Sequence, residues 1–444
     1  MIRNPQSRLM WGKRTTVLMV GFAVIGALLM ALLLLALPAL AVPSTFTVTS
    51  TSNSNDLDFP SGTFDGTSDG VCDVNAAISG QQCTLRAAIQ EANVNNNPID
   101  RDRINFNIPG SGLNRTITPT SALPTIEEPV IIDRYSQPGS SVNTLAQGTN
   151  AILRIQLNGT NVTTDDGLHV NASNTVVKGL VINRFGRSGI NTEASGADLL
   201  TNVRIEGNFI GTNRAGTSAL GNSHNGVLLI SGATNSTVGG TSLASRNLIS
   251  GNERTGVFIE LAERNKVQGN LIGTQRDGIS ALGNAFDGVA VFNSAVGNSI
   301  LSNSIFANGV GGSDEGIDLG ADGPTPNDAG DTDTGGNRLQ NFPVISSATT
   351  ISGTTTIEGT LNTRPKEPYT IQFFSSPTVG VGESDQGQTF IGSKSVFTDA
   401  SGDATFSFSP STAVTVGRQI TATATRSATG DTSEFSVAQE VTAS

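Results

Sequence analysis

Two stretches decide how this sequence folds: NFIGTNRAGTSALGNSHNGV, beginning at Asn208, and NLIGTQRDGISALGNAFDGV, beginning at Asn270. They share 13 of 20 positions at an offset of 62 residues, and a shorter relative, NLISGNERTGV, begins between them at Asn247. A second marker recurs at half that period: Asn174, Asn202, Asn235, Asn265 and Asn298 stand 28, 33, 30 and 33 residues apart. Periods of this size mark solenoids and arrays. Each unit carries short β-forming runs, such as Val176-Val177, Leu180-Val181-Ile182, Val227–Ile230 and Val257–Ile259, punctuated by Gly and Asn. None has an amphipathic run long enough for a crossover helix. Successive strands must therefore pair in parallel around sharp bends, which Asn and Gly suit because they tolerate positive φ. The predicted class is all-β: a parallel β-helix solenoid in which a coil of about 30 residues makes three short strands and coils stack at about 4.8 Å. The 62-residue period is then two coils, which puts the inserts after Asn208 and Asn270 on one side, about 10 Å apart.

Composition agrees with that reading. Only 14% of the 444 residues are charged, against about 25% in an average domain, and 51 are Gly. A coiled coil or helical bundle would need far more Glu, Lys, Arg and Ala. The net charge of −11 excludes the basic surplus of a nucleic-acid binder. With 36% hydrophobic residues, enough apolar surface remains for a large core.

The rare residues are unevenly placed. All four Met and the only Trp, Trp11, lie in the first 41 residues with Arg3, Arg8, Lys13 and Arg14, and no acid accompanies them. A cationic segment, an uncharged apolar run from Val17 to Leu37, and Ala39-Leu40-Ala41 read as a signal peptide with its cleavage site. The 21-residue run also suits an uncleaved membrane anchor. Both readings put the rest of the chain outside the cytoplasm, secreted or at the cell surface, because the positive flank stays inside. Setting the leader aside removes four positive charges and leaves −15 on 403 residues. In an exported chain the two cysteines, Cys72 and Cys83, are expected to form one disulfide, with two free buried thiols as the alternative. Together with the distant His169 and His224 they cannot build a zinc site.

Residues 42–100 read as an N-terminal cap. Leu85, Ile89 and Ala92 in TLRAAIQEAN give one short amphipathic helix with Thr84 as N-cap, suited to covering the open apolar end of the solenoid. The solenoid is assigned to residues 101–320, with first strands at Ile104–Ile108, Thr116–Thr118 and Val130–Ile132. Asparagine usage then changes. It occurs 19 times from Asn171 to Asn308 but once, at Asn362, from Ile345 to Ser444. After an acidic Gly-rich junction at 321–341, residues 342–444 alternate as Thr354–Leu361, Tyr369–Phe374, Thr389–Val396, Ala404–Phe408, Gln419–Thr425 and Phe435–Val437. Short strands at this spacing predict an antiparallel, Ig-like β-sandwich.

CTLRAA at Cys83–Ala88 resembles the CSLREA-type motif near the N-terminus of exported bacterial β-helix proteins, departing from it at Thr84 and Ala87. The segments FTVTST, DGVC, AIQEAN, INFNIPG, LPTI, NLIGT, ALGN and NFPV extend the likeness over nearly all of the chain beyond the leader. The resemblance implies a right-handed parallel β-helix with a pectate-lyase-like fold. It implies no particular reaction, because function resides in sites and not in folds.

Three kinds of chemistry compete on that scaffold. For polysaccharide cleavage, Asp165-Asp166 is the available carboxylate pair, but the Gly-His-Gly and Arg-x-Lys segments of polygalacturonases are missing, so an exposed turn is the expectation. A lyase would need acids holding Ca²⁺ beside a base. Arg214 and Arg276 recur in both inserts, which argues for structural use, since a base is needed once. For sugar binding, the chain beyond the leader has no Trp and only Tyr135 and Tyr369, which weakens an aromatic platform; the Asn residues read as stacked turn ladders. For calcium, Asp314, Glu315, Asp318, Asp322, Asp328, Asp331 and Asp333 crowd the junction with no Lys or Arg. Asp318, Asp328, Asp331 and Asp333 are the candidate ligands, because hard cations take oxygen ligands from Gly-rich loops; an unoccupied acidic linker is the alternative. Asp65, Asp69 and Asp73 form a second, weaker acidic loop.

Taken together, the sequence leads to a non-catalytic structural or adhesin-like binding protein. Its expected partners are polysaccharide or cell-surface components, with no nucleic acid and with membrane contact only through the N-terminal segment. The alternative is a lyase or hydrolase of an acidic polysaccharide. Calcium is the one cofactor expected.

Overall fold

The structure, a computed structural model, describes residues 43–60, 62, 69–95, 101–110, 114–196, 198–309, 315–377 and 386–443. The expected leader or anchor, Asp65 and Asp314 lie outside them. Among the described residues no helix is long and apolar enough to cross a membrane.

From Thr45 to Asp318 the strands are short and join three large parallel sheets, with Leu200–Thr201 and Ala233–Thr234 forming a small fourth. The first sheet has eight strands, running from Thr45–Val48 and Asp102–Phe106 to Lys266–Gln268 and Ser299–Leu301. The second has seven, from Arg115–Ile117 to Ser304–Ile305, and the third six, from Leu168–Val170 to Ile317–Asp318. Many short strands in large all-parallel sheets are compatible with a β-helix solenoid. The stacking starts earlier than residue 101, because Thr45–Val48 pairs in register with Asp102–Phe106. The 62-residue period does span two layers, since Phe209 pairs with Leu248 and Leu248 with Leu271.

Alternation decides which side chains point inward. In the third sheet Val227, Val257 and Val289 align, as do Leu229, Ile259 and Val291, and all six are completely buried. Burying a Val, Leu or Ile side chain contributes about 1.5–3 kcal/mol, so this column supports each layer. Stacking also constrains the bend before each strand. A Cβ on Gly256 would lie 2.6 Å from the Gly288 carbonyl oxygen, and Gly189, Gly226 and Gly288 meet the same obstruction.

Buried asparagines form the second element of the stack. In one ladder the side-chain oxygens of Asn247, Asn270 and Asn303 accept from the side-chain amides of Asn208, Asn247 and Asn270, at 2.9–3.2 Å. In another, Asn222, Asn252, Asn284 and Asn308 are linked the same way at 2.8–2.9 Å. Each amide also donates to a strand carbonyl, as Asn252 does to Ile210. Only a side chain with both a donor and an acceptor can repeat this link.

The half-period marker slips by one residue. Asn174, Asn202 and Asn235 sit at corners with φ of 51–62°. Asn265 and Asn298 stand one position further on, buried, in the column that begins with Ser236. The equivalent corners in those coils are Arg264 and Gly297.

The helix α1 (Leu85–Val94) is capped by the Thr84 hydroxyl, which accepts from the Ala87 amide. Leu85, Ala88, Ile89 and Ala92 join the same core as the first strands, and Cys72 and Cys83 form a disulfide beside them.

Past Phe342 the pairing turns antiparallel. One four-stranded sheet contains Val344–Ile351, Thr354–Asn362 and Asp403–Phe408; the other contains Pro368–Ser376, Thr389–Phe397 and Gln419–Arg426. Ile357 and Phe406 from the first sheet share a core with Ile371, Phe373 and Ile420 from the second. The strand at Val344–Ile351 is absent from the sequence reading. The expected strand at Phe435–Val437 is not one: Ser433 and Ser436 accept the Ala424 and Ala422 amides through their hydroxyls, which breaks the regular ladder.

Pro43–Ser444 is a single compact unit. The sandwich closes the end of the parallel stack, where Phe374 and Phe435 enter the larger core. The Asn ladders end on sandwich and junction residues: Asn308 donates to Gln386, and the Asn298 amide donates to the Asn337 side chain.

Candidate functional site

The outward row of the third sheet is not polar throughout. Leu228, Phe258, Ala290 and Asp318 align across neighbouring strands, and Ile230, Glu260 and Phe292 form the next outward row. Phe258 and Phe292 lie 6.2 Å apart between ring centres, and Phe286, 46% exposed, projects from the loop before the strand. Phe258 and Phe286 border a cavity of about 490 Å³ that also touches Arg254, Glu260 and Asp322. A second cavity of about 370 Å³ contains Phe292 and shares Asp322 and Gly323 with the first. Together they form an elongated groove on a face whose backbone is fixed by the sheet. Sequence reasoning missed it by looking for Trp and Tyr. The signal was V-F-I-E and V-A-V-F, alternations that turn a Phe outward while Val and Ile turn in.

Of the four expected metal ligands, the structure brings three together. Carboxylate oxygens of Asp328, Asp331 and Asp333 lie within 4.8 Å of one another. Asp331 accepts from the Asn341 amide at 2.8 Å and faces the Arg364 guanidinium at 3.6 Å. Burial pushes the Asp331 carboxyl above the usual range, and burial followed by the Asp328 charge does the same for Asp333. Asp328 Oδ1 and Asp333 Oδ1 are buried with no hydrogen-bond partner among the described residues. This group could hold a metal ion. Asp318 is placed elsewhere: it accepts from the Ala321 and Gly323 amides and closes a turn at the groove edge.

A further acidic group unites Asp56, Asp58 and the fully buried Glu91 of α1. The expected loop partners serve turns instead: Asp69 accepts from the Val71 amide, and Asp73 from those of Asn75 and Gln82. No spacing rule links residues 35 positions apart across a disulfide loop, so the sequence offered little signal for this group.

The remaining candidates are held by structural bonds. Asp166 accepts from the Ser188 amide and the Asn191 side chain, and Asp165 from the Thr164 hydroxyl. Arg214 donates to the Arg154 and Arg115 carbonyls, and Arg276 to those of Thr149 and Ala151, which fastens the inserts to the 149–154 segment and to the strand that begins at Arg115. Burial, reinforced by Arg254 and Arg187, pushes the His224 imidazole below its usual pKa. His169 faces Glu193 at 3.7 Å. The chain matches no protein-family model and no curated protein.

Proposed function

We propose that the chain is an exported right-handed parallel β-helix of the CSLREA type, with a pectate-lyase-like fold and an Ig-like sandwich. Its activity is non-catalytic binding of polysaccharide at the cell surface or in the extracellular space. The observation that supports this most is the groove on the third sheet, which sets aromatic rings on a rigid face. Phe rings give sugar C–H faces an apolar platform, and Asn and acidic side chains at the rim supply hydrogen bonds. Two of the groove carboxylates, Asp287 and Asp318, are occupied by backbone amides, whereas a glycosidase poises two carboxyls against the scissile bond. The disulfide is consistent with an extracytoplasmic location, and the apolar N-terminal segment would direct export or anchor the protein. Calcium bound by Asp328, Asp331 and Asp333 would stiffen the junction.

The test is affinity electrophoresis against a panel of polysaccharides, with Phe258→Ala expected to weaken retention. The same panel is assayed for lyase and hydrolase turnover with and without Ca²⁺. Robust turnover that disappears in Asp287→Asn or Asp322→Asn overturns the non-catalytic reading in favour of a carbohydrate-active enzyme. Cell fractionation separates an anchored form from a released one.

A further inference from the structure

The groove has a charge as well as a shape. Its first cavity is lined by Glu260, Asp287, Asp318 and Asp322 against, among the described residues, a single cation, Arg254. Asp322 is exposed at the point where the two cavities meet, and Glu260 pairs in register with Phe292 on the next strand. Glu260, one oxygen of which accepts from the Asn293 side chain at 2.6 Å, thus stands beside an aromatic ring, and Asp322 lines both cavities with the rings. That pairing captures ammonium groups, because the ring face attracts a cation that the carboxylate neutralises.

We propose that the groove binds a polysaccharide of amino sugars bearing free, protonated amines, with the sugar rings on Phe258, Phe286 and Phe292 and the ammonium groups beside Glu260 and Asp322. This rests on the sugar-binding reading of the groove and adds the sign of the ligand's charge. A polyuronide is disfavoured by the same acids, which repel it, while the described lining residues offer no cation besides Arg254. The two adjoining cavities suit a chain of several sugars better than one monosaccharide.

The experiment titrates the whole protein by calorimetry with three oligosaccharides of equal length: β-1,4-linked glucosamine, its fully N-acetylated form, and galacturonate. The buffer is mildly acidic, so that sugar amines carry protons. The glucosamine oligomer is expected to bind about tenfold tighter than the acetylated one, as two or three partly screened ion pairs would give. That advantage is expected to shrink as salt is raised. The double variant Glu260→Gln, Asp322→Asn should lose the preference for the glucosamine oligomer over the acetylated one, and a melting curve matching the parent protein's shows that the groove is still folded. Equal binding of both glucosamine forms, or tighter binding of galacturonate, overturns the charge assignment but leaves the sugar groove standing. Binding of none of the three, with Phe258→Ala without effect, overturns both. Self-association through Phe286, abolished by Phe286→Ser and read by sedimentation, would show that a second copy is the occupant and overturn them as well.

Discussion

Replacing Asn252 by Ala removes the centre of one buried ladder and measures what the repeat is for. The Asn252 side-chain oxygen accepts from the Asn222 side-chain amide at 2.9 Å and from the Asn222 backbone amide at 3.4 Å. Its own amide donates to Asn284 at 2.8 Å and to the Ile210 carbonyl at 3.3 Å. The two acceptors keep other donors, because the Asn252 backbone amide still reaches Asn284 and the Ser250 amide still reaches Ile210. The donors on Asn222 lose theirs in a fully buried site. An unsatisfied buried donor costs about 1–3 kcal/mol, so two give a loss of about 2–6 kcal/mol. The control is Asn235→Gly at an exposed corner with φ of 51°, a conformation that Gly adopts freely, where the expected change is below about 0.5 kcal/mol. Stacked repeats can unfold in pieces, so urea titration followed by circular dichroism is paired with hydrogen exchange. The Asn222 amide should lose protection ahead of the global transition in Asn252→Ala alone. Midpoints for the two variants that agree within about 1 kcal/mol, with Asn222 protection unchanged, would refute the ladder as a source of stability.

Three further expectations concern the junction and the cap. Millimolar Ca²⁺ should raise the melting temperature and EDTA reverse the shift; at roughly a hundredfold excess over Kd the gain is about 2.7 kcal/mol, and Asp331→Asn or Asp333→Asn should abolish it. An unchanged melting curve removes the metal site. Burial pushes the Glu434 carboxyl from 4.5 up to about 7. The folded state therefore holds a proton that the unfolded chain releases, and stability falls by about 3 kcal/mol as pH rises from about 4.5 to about 7. Glu434→Gln should flatten that slope, and an unaltered pH profile in this variant would assign the slope to other groups. Reducing the Cys72–Cys83 bond opens a loop of 11-residue separation and should cost about 3 kcal/mol. Exchange should rise first in α1, and uniform loss of protection along the chain would contradict a local role.

What the sequence made legible followed from how local each constraint is. The parallel stack could be read because its demands repeat: the strand must alternate, the bend before it must lack a Cβ, and the ladder must be an amide. The one-residue slip arose because Asn does two jobs a single position apart. At Asn174, Asn202 and Asn235 it tolerates a left-handed corner, while at Asn265 and Asn298 it fills the ladder column. Residue identity cannot separate these uses; only the register can. Asp328, Asp331 and Asp333 are legible as a group because they are neighbours in one loop, whereas only proximity in sequence associates Asp318 with them. The Asp56, Asp58 and Glu91 group required the folded path of the disulfide loop around α1. The aromatic groove required knowing which face of the third sheet is left open, which depends on where the inserts and the sandwich lie.

The junction links these features mechanically. Asp318 ends the last strand of the third sheet and closes the turn at Ala321 and Gly323. Asp322 and Gly323 in that turn line both cavities of the groove. Leu319 and Thr325, flanking it, donate their amides to the buried Glu434 of the sandwich at 2.9 Å each. Five residues after Asp328 the acidic loop reaches Asp333, and within it Asp331 is tied to Asn341 at the entry to the sandwich. The rim of the groove is thus suspended between two carboxylate-controlled attachments. Ionising Glu434 strengthens its hydrogen bonds to Leu319 and Thr325 but leaves a buried charge that favours opening the interface. Neutralising the Asp328–Asp333 loop with a cation removes like-charge repulsion from the same segment. Oligosaccharide affinity measured with and without Ca²⁺, on either side of the Glu434 transition, should therefore move together with the melting temperature. Affinity that stays constant while stability shifts would show that the groove is held by the third sheet alone.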